Sequence, residues 1–241
     1  MGGTREKYPN WIGSMVANEE EAGYLMARAL IRQAGTQQPV QMLAFSGGKN
    51  TPAAQLRERG LQRALSEHPQ VQLRQLVYAD WNRQRAAEQA DLLLRRYPDV
   101  HLIWSANDEM AFGVMVSAAQ LPGEQKPRLL YSALNNSDEV LQARQTGRVS
   151  ALVAGHFTLG GWALVLISDH AAGLDFAQRG GKDRTVPLFM ELDAAQSARL
   201  QHVLRREDYG LNFRRFTARQ QPGMRDYAFS LKPLLSQAVA K

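Results

Sequence analysis

The sequence predicts an α/β fold: an open, mostly parallel, Rossmann-like sheet followed by a helical and irregular C-terminal extension. Two observations predict the sheet. From Asn18 to Val153 the apolar residues switch repeatedly between helical and strand spacing. Each strand-length run is followed by a short polar loop and then a helix-length run, the order that makes a parallel sheet covered on both faces. The extension is predicted by a change of texture after Gly155, where the alternation stops and the chain becomes Arg-rich and aromatic.

The elements follow in order. Ala22, Leu25, Met26, Ala29 and Leu30 mark a first helix, with Asn18 as its cap, Glu19 to Glu21 in its first turn and Gly35 as its stop. Val40 to Phe45 reads as a buried strand and Ser46 to Asn50 as a glycine-containing loop. Thr51 is expected to cap the next helix, with Pro52 at its first position. Strands are expected at Val71 to Tyr78, Val100 to Ser105, Arg128 to Ala133 and Val149 to Val153. Between them lie helices at Arg83 to Tyr97, Asp108 to about Gln120, with Asp108 as cap, and Asp138 to Thr146. Thr158 to Gly173 is an unusually apolar helix, Val186 to Leu192 a strand, and Ala195 to Arg205 a last helix. A tail with Tyr209, Phe213, Phe216, Tyr227 and Phe229 ends the chain.

Composition narrows the function. The 241 residues hold no Cys, so neither disulfides nor thiolate chemistry are available. Twenty-nine basic against 23 acidic residues leave a net charge of +6. Arg is scattered, often beside Glu, and no Lys/Arg run exceeds two residues, which argues for solvated helix faces and against nucleic acid. There is no apolar run of about 18 residues, so no direct membrane insertion is expected. Met1 to Pro9 is polar and lacks the apolar stretch of a signal peptide.

In an open α/β sheet a ligand binds at the carboxyl ends of the strands. Those ends are the loops Ser46 to Asn50, Ala79 to Asn82, Ala106 to Glu109 and Leu134 to Ser137. They hold Ser46, Lys49, Asn50, Asp80, Trp81, Asn82, Asn107, Asp108, Asn135 and Asn136. Amides around one indole suit a polyhydroxylated ligand: the amides exchange hydrogen bonds with hydroxyls and the indole stacks on a C–H face. The same set suits catalysis poorly. Phe45-Ser46-Gly47-Gly48 is not a nucleophile elbow, and Gly47-Gly48-Lys49 lacks phosphate-loop spacing. His68, His101, His156, His170 and His202 never fall at metal-ligand spacing. Asp108 and Glu109 read as a helix cap and first turn. No enzyme activity, metal or cofactor is expected.

Trp104-Ser105-Ala106-Asn107-Asp108-Glu109-Met110-Ala111-Phe112-Gly113 resembles the signature of ribose-type periplasmic binding proteins, the type I fold shared with LacI-type repressor effector domains. Tyr97-Pro98-Asp99-Val100, the helix Thr51 to Gly60 and the first helix, Asn18 to Ala29, resemble further elements of that family in the same order. The resemblance runs from about Trp11 to Leu192, with its sharpest motifs between Thr51 and Gly113. It implies a periplasmic solute-binding protein of an ABC transporter, taking a sugar or sugar-like ligand in an interlobe cleft and read by a permease. The alternative is a ligand-sensing module, either the periplasmic partner of a sensor kinase or a repressor effector domain. By resemblance Arg59 donates paired hydrogen bonds, Trp81 stacks on the ring and Asn107 binds through its amide. The family's acidic ligand is absent after the fourth of the strands above, where Asn135 or Asn136 would substitute; Ser46, Asn50 and His156 complete the candidates. The implied organisation is a second lobe over 10–155, a return segment to an incomplete first lobe over 156–193, and an extension over 194–241. The rest of the first lobe is expected upstream or in trans; otherwise the aromatic tail covers the apolar helix.

Overall fold

The computed structural model describes residues 8, 10–35, 39–122, 129–206 and 212–237. The chain divides into two compact units. The larger comprises residues 19–154 and 190–204; the smaller comprises 1–18, 155–189 and 205–241.

The larger unit is a six-stranded sheet. Its strands are β2 (Val40–Ser46), β3 (Val71–Tyr78), β4 (Val100–Ser105), β5 (Leu130–Leu134), β6 (Ala151–Ala154) and β8 (Met190–Leu192). Their spatial order is β3-β2-β4-β5-β6-β8, parallel except for β8, which runs antiparallel to β6. Helices α1 (Glu19–Ala34), α2 (Pro52–Glu67), α3 (Arg83–Arg96), α4 (Asp108–Ala119), α5 (Asp138–Gln145) and α7 (Ala194–Leu204) cover it. Right-handed crossovers put α2 on the opposite face from α3, α4 and α5, because the chain steps left from β2 to β3 and then right from β3 onward. β2 is buried along most of its length, as expected of a central parallel strand. The order reverses at β2, so the crevice between the carboxyl ends of β2 and β4 is the topological switch point.

Helices α1 and α2 touch backbone to backbone. A Cβ on Gly23 would lie 2.0 Å from the Arg57 carbonyl oxygen, and one on Gly60 would lie 2.0 Å from that of Glu20. This crossing fixes the height at which α2 delivers its side chains to the strand ends. The Trp104 indole N–H donates to the Gly23 carbonyl at 3.2 Å and ties the pair to the sheet.

The smaller unit contains β1 (Ser14–Ala17) and β7 (Asp183–Val186), paired in parallel, with α6 (Leu159–Ala171) and α8 (Leu231–Gln237). The tail covers one face of the apolar helix and leaves Leu164 and Ile167 exposed: Trp162 of α6 is 1% exposed and meets the rings of Phe213, Phe216 and Phe229 edge-on. The Asp169 carboxylate, fully buried, accepts from the Tyr227 hydroxyl at 2.6 Å and from the backbone N–H of Ala218. Arg184, also buried, lies 5.4 Å from the rings of both Tyr227 and Phe229. Tyr209 lies outside the described residues.

The structure corrects several local expectations. Val186 to Leu192 is not one strand. Pro187 has no N–H to donate and restricts Val186, so β7 ends there and β8 joins the other sheet. β8 and α7 group with the larger compact unit. Thr51 occupies the cap position of α2 without capping; its hydroxyl donates back to the Gly48 carbonyl at 2.8 Å. The cap of α4 is Asn107, and Asp108 is the first helical residue. β1 was not anticipated, since four residues are too few to show a period. Arg128, the expected start of β5, lies outside the described residues.

Candidate ligand site at the strand ends of the larger unit

The site is built around a strained turn. Asp80 and Trp81, after β3, have φ of 51° and 64°, in the left-handed region that disfavours side chains. Each such residue costs about 1–2 kcal/mol. The turn is held by the Asn82 N–H on the Ala79 carbonyl, by an Arg85–Asp80 ion pair at 2.6 Å, and by Asn107, whose amide donates to the Trp81 carbonyl at 3.2 Å.

That geometry lays the indole over Gly47, at the end of β2. A Cβ there would fall 2.0 Å from the ring, so only glycine leaves room for the seat. Arg57 lies 5.4 Å from the centre of the same ring. Its side chain is nearly buried, with Nε on Glu19 at 2.7 Å and Nη1 donating to the Ala106 carbonyl at 2.6 Å. Arg57 thereby bridges α1, α2 and the end of β4 at the switch point. Its Nη2 hydrogens remain uncommitted.

Two further polar groups border the crevice. The Asn107 carbonyl oxygen caps α4 by accepting from Met110 N–H at 2.9 Å, leaving one amide hydrogen and one lone pair. After β5, Asn135 donates to the Asp108 carboxylate at 3.0 Å and accepts from the Asn136 N–H. Asp108, 1% exposed, also accepts from Ser137 at 2.6 Å. Its charge is absorbed by these donors, in the way a buried carboxylate requires. The Asn136 side-chain amide is the uncommitted group of this loop. An open groove of about 500 Å³ runs from Trp81 and Asn82 along α3 and α4, past Glu109, to Gly113 and Val116.

The structure brings Trp81 and Asn107 into contact and places Asn135 and Asn136 on the neighbouring loop. It treats the other candidates differently. Ser46 is fully buried and donates to Glu58, so it orients a carboxylate. Tyr78 donates to the other oxygen of Glu58 at 3.4 Å, and burial, then the Glu58 charge, raises the Tyr78 pKa. Asn50 is exposed in a turn, and His156 belongs to the smaller unit, beside Phe189. Arg59 is exposed and takes no part in the contacts around Trp81. Arg57 holds that place instead, because it shares the inward face of α2 with Ala54, Leu61 and Ala64. That i, i+3, i+7, i+10 spacing was visible in the sequence. Glu58 was also missed; no spacing rule singles it out. Among the described residues there is no cluster of three or more metal-ligating side chains.

The switch-point crevice is bordered by an indole, a guanidinium and amides, side chains whose chemistry suits a small polar ligand. Residues 13–175 match the family model "Periplasmic binding protein domain", and the chain belongs to that family of binding proteins. It is similar to a periplasmic sugar-binding protein from Pseudomonas fluorescens, at 51% identity and a TM-score of 0.84 over 92% of this chain and 69% of that one. It is 26% identical over 149 residues to the D-allose-binding periplasmic protein of Escherichia coli K12, covering 61% of this chain and 44% of that protein. A periplasmic solute-binding protein of Actinobacillus succinogenes 130z with bound D-allose shares the fold at 18% identity and a TM-score of 0.68, over 82% of this chain and 68% of that one. The chain thus spans less than half the length of the E. coli relative.

Proposed function

We propose that this chain is the ligand-holding part of a periplasmic sugar receptor that delivers its ligand to an ABC-type permease, and that it binds without catalysing a reaction. One observation carries the reading: the Arg57–Trp81–Asn107 cluster at the β2/β4 crevice offers a π face, a guanidinium and an amide together. An aldose ring presents a C–H face and a fan of hydroxyls, the complement of that set. The similarity to sugar-binding proteins supports the same ligand class. In this reading Asn136, and not a carboxylate, faces the hydroxyls beyond β5. No helix among the described residues is long and apolar enough to cross a membrane, and export to the periplasm belongs to the proposal. So does the remainder of a first lobe, supplied by further chain or in trans.

The test is calorimetric titration of the protein with D-allose, D-ribose, D-galactose and myo-inositol at up to millimolar concentration. Saturable heat with at least one aldose, lost in Trp81→Ala, supports the assignment. Absence of heat with every sugar, or equal heat in the variant, contradicts it.

A further inference from the structure

The protein's charge is not spread over its surface. The larger unit holds sixteen basic and sixteen acidic residues and is neutral; the smaller unit, with thirteen basic and seven acidic, holds the whole +6. Residues 205–241 alone contribute eight basic residues against three acidic. The net charge is therefore segregated, because acidic residues balance the basic ones in the larger unit and are outnumbered in the smaller.

Ion pairing also differs between the larger unit and the tail. In the larger one Arg32, Arg57, Arg63, Arg83, Arg85 and Arg95 are ion-paired. In the tail Arg214, Arg215, Arg219 and Arg225 are exposed, and none has an acidic partner among the described residues. Their orientation follows from packing. Phe213–Phe216 is a 3₁₀ turn, in which positions i and i+3 eclipse. Both phenylalanines turn in on Trp162, so Arg214 and Arg215 are turned out. Thr217 and Ala218 are buried, and the N–H groups of Ala218 and Arg219 are held by Asp169. Beside them lies an open hollow of about 590 Å³ lined by Arg179, Arg219, Ala172, Leu174, Ala218 and Pro222. It combines two guanidinium side chains with an apolar floor and has no carboxylate in its lining.

We propose that this surface docks the smaller unit on anionic phospholipid, with the Arg179–Arg219 hollow taking a phosphate headgroup and its glycerol. Arginine matches phosphate oxygens bidentately. The apolar floor fits an amphiphilic anion better than an acidic protein side chain. Arg179, Arg219 and the tail lie beyond residues 13–175, so the guanidinium side chains of the surface fall outside the family match. The proposal stands independently of the sugar reading.

The test is co-sedimentation of the whole chain with phosphatidylcholine vesicles, with and without 30% phosphatidylglycerol. Binding is expected to the anionic vesicles alone and to fall at least tenfold between 50 and 300 mM NaCl. Each arginine near such a surface contributes about fivefold, so Arg214→Gln, Arg215→Gln, Arg219→Gln and Arg225→Gln together are expected to weaken binding at least about a hundredfold with the melting temperature kept. Equal binding to neutral vesicles, a variant that binds as well, or full release by 10 mM inorganic phosphate at constant ionic strength overturns the proposal. So does failure to bind vesicles while poly-glutamate is retained, which would assign the surface to an acidic protein. The salt dependence of the unmodified protein decides the matter even if the variant fails to fold.

Discussion

The guanidinium of Arg57 lies 5.4 Å from the centre of the Trp81 ring while its Nη1 donates to the Ala106 carbonyl. One side chain thus joins helix α2, the strained turn after β3 and the end of β4. A cation over an indole is worth about 0.5–2 kcal/mol, rising as water is excluded, and here it orients both groups before any ligand arrives.

Removing Arg57 therefore costs stability. Arg57→Leu leaves Glu19 without its partner and the Ala106 carbonyl without its donor. Breaking a mostly buried pair costs about 3 kcal/mol. Arg59→Gln, on the exposed side of the same helix, is expected to change stability by less than about 0.5 kcal/mol. Urea unfolding of both variants measures the contrast.

Gly47→Ala is expected to unseat Trp81. The added methyl would fall 2.0 Å from the ring, and overpacking of this kind costs about 1–3 kcal/mol. The indole can move out, so ligand affinity is expected to drop more than stability does. Trp81 fluorescence, isolated by replacing the other three tryptophans with Phe where the fold tolerates it, reports the displacement.

The strand ends were legible in the sequence because polar loops interrupt apolar runs, and all four loops lie where the periodicity put them. The contact between Trp81 and Asn107 at the strand ends follows from their places in those loops. Arg57 was legible only through helix phase, which a motif of residue types passes over: Arg57 and Arg59 differ by two residues and about 200°. The division of β7 from β8 was hidden for a related reason: Pro187 interrupts a run that stays mostly apolar on both sides of it. The buried role of Asp169 depends on a tail about 50 residues away, which no local pattern discloses.

Asp169 leads to a test of how that tail is held. In Asp169→Ala the Tyr227 hydroxyl and the Ala218 N–H lose their acceptor, at a cost of about 1–3 kcal/mol for each buried group. Trypsin is expected to cut at Arg214, Arg215 or Arg219 at least tenfold faster, while the larger unit stays resistant. Mass spectrometry of a digestion time course shows which sites open first.

Two tyrosines, Tyr131 and Tyr227, add to the effect of Tyr78 at the alkaline limit. Burial pushes Tyr131 up to about 12. Burial, then the hydrogen bond to Asp169 and its charge, raises Tyr227 as well. A group whose folded pKa is raised holds its proton more tightly when folded. Its contribution is complete below about pH 10, the unfolded value, and is lost as pH climbs toward the folded one. The urea midpoint is expected to fall between about pH 10 and 12, and Tyr131→Phe is expected to flatten that fall.

Ligand contact at the Arg57–Trp81 pair is the central feature of the proposed site. Calorimetric titration of D-allose into the unmodified protein, Trp81→Ala, Arg57→Lys and Arg59→Gln tests it most directly. The prediction is a loss of at least tenfold, about 1.4 kcal/mol, in the first two variants and an affinity within twofold in Arg59→Gln. An Arg59→Gln variant that loses binding while Arg57→Lys and Trp81→Ala retain it would contradict the account.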